Sequence, residues 1–129
     1  MILLDTHVLI WLRADPSKLS VAATEAIRTA RQKDGLAISA ITLWELAWLA
    51  THGRLQIIGT VDAVVEKFSA TLAIRPITAP IAVLANQLPD SYPSDPSDRL
   101  IGATVMYEQI PLVTKDRSIR NYKQIRTIW

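Results

Sequence analysis

Short, largely apolar runs alternate with longer helical patterns along this chain, and that alternation limits the folds open to it most. The runs are Ile2-Leu3-Leu4, Leu36-Ala37-Ile38, Ala73-Ile74-Arg75 and Pro111-Leu112-Val113-Thr114. Each is too short for a helix and reads as a strand buried on both faces. Between them, Ser20 can cap a helix running to about Lys33, closed by Gly35. Ser39 can cap Ala40 to about His52, with Gly53 suited to the turn that follows. Val61 to Leu72 and Ala79 to Leu88 also read as helices, and His7 to Leu12 as a short helical turn. Asp95 stands as N-cap with Pro96 at the first helical position, opening a helix to about Glu108. Ile125 to Trp129 reads as a last strand at the sheet edge. Strands in alternation with helices predict an α/β fold, a three-layer α/β/α sandwich with a short central parallel sheet. Ligands of such sheets bind beyond the carboxyl ends of the strands.

The 129 residues suffice for a single domain over 1–129. The one loop-like cluster, Leu88 to Pro96, is too short to separate two domains. Cysteine is absent, which excludes disulfides, thiolate metal sites and cysteine nucleophiles. No apolar run approaches the ~20 residues that span a bilayer. The N-terminus has neither the basic segment nor the cleavage site of a signal peptide, so a cytoplasmic protein is expected. The net charge of +2 hides an asymmetry. Lys115, Arg117, Arg120, Lys123 and Arg126 face Asp116 alone in the last 15 residues, so the preceding chain is net acidic. That basic tail is either a solvated face or a patch that attracts phosphate.

Several acids stand where acids are costly. Asp5 directly follows Ile2-Leu3-Leu4, and Asp116 follows Leu112-Val113-Thr114-Lys115, so both lie just past predicted strands. Either could simply cap a turn. Glu45 is the only formally charged residue between Leu36 and Thr51, on a helix apolar nearly all round. It lies either on a narrow solvent stripe with Thr42 and Leu49 or at a functional site, and the isolation of its charge favours the site. Asp95 suits capping, whereas Asp98, near the same helix start, is ambiguous by itself.

Considered together, two acids end strands and two lie on helices that would flank them. Four converging carboxylates without cationic partners repel one another, and a divalent cation relieves the repulsion. A set of oxygen ligands without cysteine suits Mg²⁺ or Mn²⁺ rather than zinc.

The segments Leu3-Leu4-Asp5-Thr6-His7, Ile38 to Glu45, Asp95 to Ile101 and Leu112 to Asp116 resemble, in order and spacing, the successive motifs of PIN-domain proteins. More narrowly, they resemble the VapC-type toxins of toxin–antitoxin pairs. The resemblance covers essentially the whole chain. It implies a divalent-metal-dependent endoribonuclease whose acidic quartet is Asp5, Glu45, Asp98 and Asp116. It also implies supporting hydroxyls at Thr6 and Thr114, the latter able to orient a carboxylate or a water. The partners implied are an RNA substrate, a cognate antitoxin and a second copy of the chain, with operator DNA bound only through the antitoxin. Under this reading Asp5, Asp98 and Asp116 hold Mg²⁺ or Mn²⁺. Glu45 binds the ion through water or takes a proton from the attacking water. Lys115 and Arg117 are candidates to hold RNA phosphates.

His7 and Trp11 fit one subgroup of these proteins, and His7 reads either as a helix-start residue or as a ligand or proton carrier. Trp44 and Trp48, one helical turn apart, read as core or dimer interface rather than as a base-stacking platform. Two other readings stay open. One is an aspartate-nucleophile phosphatase, although His7 stands where that motif needs a second Asp. The other is a non-catalytic module that binds protein or RNA on the same fold.

Overall fold

The computed structural model describes residues 1–129. Five strands form one parallel sheet: β1 (Ile2–Leu4), β2 (Leu36–Ser39), β3 (Ala73–Arg75), β4 (Leu112–Val113) and β5 (Thr127–Ile128). Their order across the sheet is β3-β2-β1-β4-β5. The chain therefore starts in the middle, builds outward through β2 and β3, then returns to the other side of β1. The seam between β1 and β4 is the point where the direction of building reverses. Crevices of open parallel sheets form at such a reversal.

The helices are α1 (Thr6–Ala14), α2 (Val21–Gln32), α3 (Ala40–Thr51), α4 (Val61–Ser69), α5 (Ala79–Gln87), α6 (Pro96–Glu108) and the short α7 (Arg117–Arg120). Each begins on an Asp, Ser or Thr whose side chain accepts a hydrogen bond from the first turn. These residues satisfy amide groups that a helix start leaves unpaired. At the end of α3, Gly53 takes a φ of 67°, and the Arg54 amide reaches back to the Leu49 carbonyl at 2.8 Å. That is the closure glycine permits after a helix.

Alternation along the strands divides the core into two layers. Ile2, Leu4, Leu36, Ile38 and Val113 pack with residues of α1 to α4, including Val8, Ile27, Leu46 and Phe68. Leu3, Ala37 and Leu112 pack on the opposite face with Tyr92, Ile101, Val105 and Ile119. The three-layer sandwich is thus present, with β1, β2 and β4 buried on both faces. The last strand, expected at the sheet edge over Ile125 to Trp129, is found there as β5, whereas β3 differs from the expectation of a strand buried on both faces. Neither contains a fully buried residue, and Ile74 of β3 is 40% exposed. An edge strand has a neighbour on one side only, so its faces are less completely covered.

Several boundaries also move. The helical turn expected at His7–Leu12 is the nine-residue α1, and α4 stops at Ser69 rather than Leu72. Helix α7 was not evident in the sequence, because four residues carry no measurable periodicity.

Candidate active site

Three helices start at the carboxyl ends of β1 and β4 or against them, and an aspartate caps each. Asp5 caps α1, with Oδ1 accepting from the Thr6 amide at 2.8 Å. Asp116 caps α7, with Oδ1 accepting from Ser118 at 2.8 Å and from Ile119 at 3.3 Å. Asp95 caps α6 through Oδ1, bonded to the amides of Ser97 and Asp98. The choice between capping residue and site residue therefore dissolves at these positions. One carboxylate oxygen caps the helix, and at Asp95 and Asp116 no side-chain hydrogen bond occupies the other.

Asp5 is 4% exposed. Its Oδ2 accepts from the Thr114 hydroxyl at 2.8 Å, and the same hydroxyl accepts from the Asp116 amide at 3.0 Å. Thr114 thus joins the two strand-end aspartates across the β1–β4 seam. Burial raises the pKa of Asp5, opposed by His7, Thr114 and the Thr6 amide, while Asp116 raises it further.

Glu45 stands on α3, half-buried beside this seam. Its Oε1 accepts from the Thr6 hydroxyl at 2.6 Å. That hydroxyl has one proton to give, so Thr42, 3.0 Å away, donates into it. The chain of hydroxyls runs Thr42 to Thr6 to Glu45. Burial raises the Glu45 pKa, countered by Thr6 and raised again by the charges of Asp5 and Asp95. Thr42 is fully buried, which overturns the solvent-stripe alternative for this helix face.

Asp98 registers the whole cluster. Its carboxyl is pushed up to about 7, first by burial, then by Asp5, Asp95, Asp116 and Glu45. All four residues of the expected quartet, and Asp95 with them, therefore share one electrostatic neighbourhood. No three of these side chains close into a ready-made cage for an ion. The cluster is an open group of oxygen donors.

His7 occupies the first turn of α1. The Lys115 amide donates to its Nε2 at 3.1 Å, so the ring proton of the neutral form sits on Nδ1, 3.5 Å from Asp5 Oδ2. Lys115 and Arg117, the residues expected to contact RNA, are exposed on either side of Asp116. Trp44 and Trp48 are 60% and 39% exposed, so the core alternative for that pair fails. Trp48 stacks on His52, with ring centroids 4.1 Å apart.

Sequence reasoning missed Thr42, Tyr92 and Arg99. The spacing of Thr42 three residues before Glu45 was the one available signal, since i and i+3 share a helix face. Tyr92 is buried, and its hydroxyl donates to the Asp98 carbonyl at 2.7 Å. The Arg99 guanidinium donates to the carbonyls of Ala85, Leu88, Pro89 and Tyr92, which fastens the segment before α6 to that helix. No local pattern announces either contact.

Comparison with known proteins gives a consistent result. Residues 2–125 match the sequence model of the PIN domain. The chain is 42% identical over 130 aligned positions to Ribonuclease VapC22 of Mycobacterium tuberculosis, covering 99% of this chain and 98% of that protein. Among solved structures, VapBC2 from Rickettsia felis bound to a DNA fragment from its promoter superposes with a TM-score of 0.75 at 17% identity. That match covers 98% of this chain and 97% of the other. The DNA-bound VapBC from Salmonella typhimurium matches with a TM-score of 0.73 at 23% identity, covering 98% and 95%.

Proposed function

The chain belongs to the PIN-domain family, and from that premise we propose that it is a divalent-metal-dependent endoribonuclease, the toxin of a toxin–antitoxin pair. The observation that carries the proposal is the convergence of Asp5, Glu45, Asp98 and Asp116 around the β1–β4 seam, where burial first, and then the charges of Asp5, Asp95, Asp116 and Glu45, push the Asp98 carboxyl up to about 7. A relative named as a VapC ribonuclease, similar along its whole length, supports the nuclease reading. Neighbours solved as VapBC complexes support an antitoxin partner.

The residues present suit Mg²⁺ or Mn²⁺. All donors are carboxylate oxygens, and repulsion among them is what a cation relieves. The openness of the cluster agrees with Mg²⁺, which commonly takes one or two carboxylates and keeps several waters. Asp5, Asp98 and Asp116 are the residues that would hold it. When bound, such an ion makes water a better nucleophile near neutral pH and stabilises charge on a phosphoryl oxygen.

The chain's own groups supply the rest. Thr6 occupies Oε1 of Glu45, which leaves Oε2 to take the proton from the attacking water. The raised pKa of Glu45 improves it as an acceptor. Attack at phosphorus breaks the bond to the 3′ oxygen and yields a 3′-hydroxyl and a 5′-phosphate. Thr114 keeps Asp5 and Asp116 in register, and Lys115 and Arg117 attract the RNA backbone. Trp44 and Trp48, exposed on α3, suit cover by the antitoxin or by a second copy of the chain. Cellular RNA would be met in the cytoplasm. No helix is long and apolar enough to cross a membrane.

The aspartate-nucleophile phosphatase is disfavoured, because His7 stands where that motif needs a second Asp. The deciding experiment is cleavage of RNA by the pure protein with Mg²⁺ or Mn²⁺ and with EDTA, beside Asp5→Asn and Asp116→Asn. Metal-dependent cleavage lost in both variants is expected. Cleavage surviving both substitutions would sink the proposal, and RNA binding without cleavage in either metal would favour the non-catalytic module.

A further inference from the structure

An aromatic surface adjoins the acidic site. The Trp11 ring is half-buried on α1, one turn beyond His7. The His7 ring meets it edge-on with centroids 5.0 Å apart, and Trp129 tilts against it at 5.9 Å. Two exposed lysines flank the same indole: Lys115 Nζ stands 5.6 Å and Lys18 Nζ 5.9 Å from the ring centroid. His7 links this surface to the acids. It approaches Asp5 through Nδ1 and holds the Lys115 backbone through Nε2. A continuous path of side chains runs from Asp5 through His7 to Trp11.

We propose that Trp11, flanked by Lys18 and Lys115, is a nucleobase-stacking platform that holds a single-stranded RNA nucleotide flanking the cleavage site. The inference rests on the ribonuclease reading above. An aromatic ring between two flexible cations suits single-stranded RNA, because the ring takes the face of any base and the ammonium groups take phosphates. A mobile, exposed lysine lying over this half-buried indole is held weakly, and base–aromatic stacking is the stronger contact. An arriving base therefore displaces an ammonium group from the ring, and that group stays close enough to meet the adjoining phosphate. His7 sets the distance between platform and acids, since its ring touches both.

The test measures binding of a short, labelled single-stranded RNA by fluorescence anisotropy in EDTA, with cleavage in Mg²⁺ followed in parallel. A series of the same oligonucleotide carries one abasic residue at successive positions. Wild-type protein should bind one abasic member roughly tenfold or more weakly than the intact RNA. Trp11→Leu should bind intact RNA weakly and lose that discrimination, while Trp11→Phe keeps most of it. Lys18→Ala should lower the slope of log affinity against log salt by about 0.7. Circular dichroism confirms the fold of each variant. If Trp11→Leu unfolds, Trp11→Phe with its smaller ring should bind intact RNA a few-fold more weakly than wild type and the sensitive abasic member equally, and equal binding of intact RNA by both proteins overturns the platform.

Equal binding of intact and abasic RNA by wild type would overturn the platform and leave a surface that reads charge alone, as an acidic peptide would use it. Unchanged RNA binding by folded Trp11→Leu, alongside metal-dependent cleavage by wild type, removes the platform and leaves the ribonuclease standing. Absence of both binding and cleavage in wild type removes both.

Discussion

The Thr114 hydroxyl donates to Asp5 Oδ2 at 2.8 Å, joining residues 109 positions apart at the seam where the sheet reverses its order of building. Both side chains are buried, so the carboxylate has no water to replace this donor. Thr114→Val keeps the shape and removes the hydroxyl. It should cost about 2 kcal/mol, the range for a hydrogen bond to a charged group, and Thr114→Ser should recover most of the loss. Urea unfolding in metal-free buffer measures both. A valine variant as stable as wild type would show that the contact contributes nothing.

Thr6 holds Glu45 in the same manner from the other side. The hydroxyl favours the charged carboxylate against burial, so Thr6→Val should raise the Glu45 pKa further. If ionised Glu45 takes the proton, the acid limb of the pH–rate profile moves to higher pH in Thr6→Val and stays in place in Thr6→Ser. An unmoved acid limb in the valine variant would remove Glu45 from the proton-accepting role.

Asp98 makes stability depend on pH in an unusual direction. Its carboxyl lies near 7 in the folded chain against an ordinary 3.8. Between those values the folded chain holds a proton that the unfolded chain lacks. The contribution is fully present below the lower value and lost as pH rises through the higher one. Melting temperature in EDTA should therefore fall across this window, and Asp98→Asn should flatten the fall. Added Mg²⁺ should raise the melting temperature more at pH 8 than at pH 5, because protons and metal compete for the same oxygens. An equal rise at both pH values would place the ion away from this cluster.

Gly102 is constrained by Tyr92 rather than by its own backbone. A Cβ there would press on the Tyr92 hydroxyl and stand 2.7 Å from Cζ. Tyr92 is buried and cannot swing out without losing its bond to the Asp98 carbonyl. Gly102→Ala should destabilise the fold by about 1–3 kcal/mol, the usual cost of overpacking. In thermal unfolding, Gly102→Ala should cost less when added to Tyr92→Phe than when added to wild type, since the clashing oxygen is then absent. An equal cost in both backgrounds would show that the hydroxyl is not the source of the strain and leave the ring carbon Cζ.

Local chemistry alone determined much of this protein. Apolar runs such as Ile2-Leu3-Leu4, too short for a helix of their own, form buried strands, and Ser20, Ser39 and Asp95 each start a helix because their side chains accept from the first turn. These are interactions within a few residues, so pattern and spacing carry them. The candidate acids were visible for a related reason. Charge is conspicuous beside a predicted buried strand or, at Glu45, alone on an apolar helix.

The tertiary structure decided which of those groups meet. Thr6 reaches Glu45 across 39 residues, and Arg99 fastens the chain before α6 to four carbonyls. The exposure of Trp44 and the meeting of Trp11 with Lys18 and Lys115 were equally hidden from the sequence. The reason is geometric. Strand order and register set the neighbours of every strand end, and a shift of one residue would turn each strand side chain to the opposite layer. Short-range patterns specify the elements, and only the assembled sheet aligns Asp5 with Thr114.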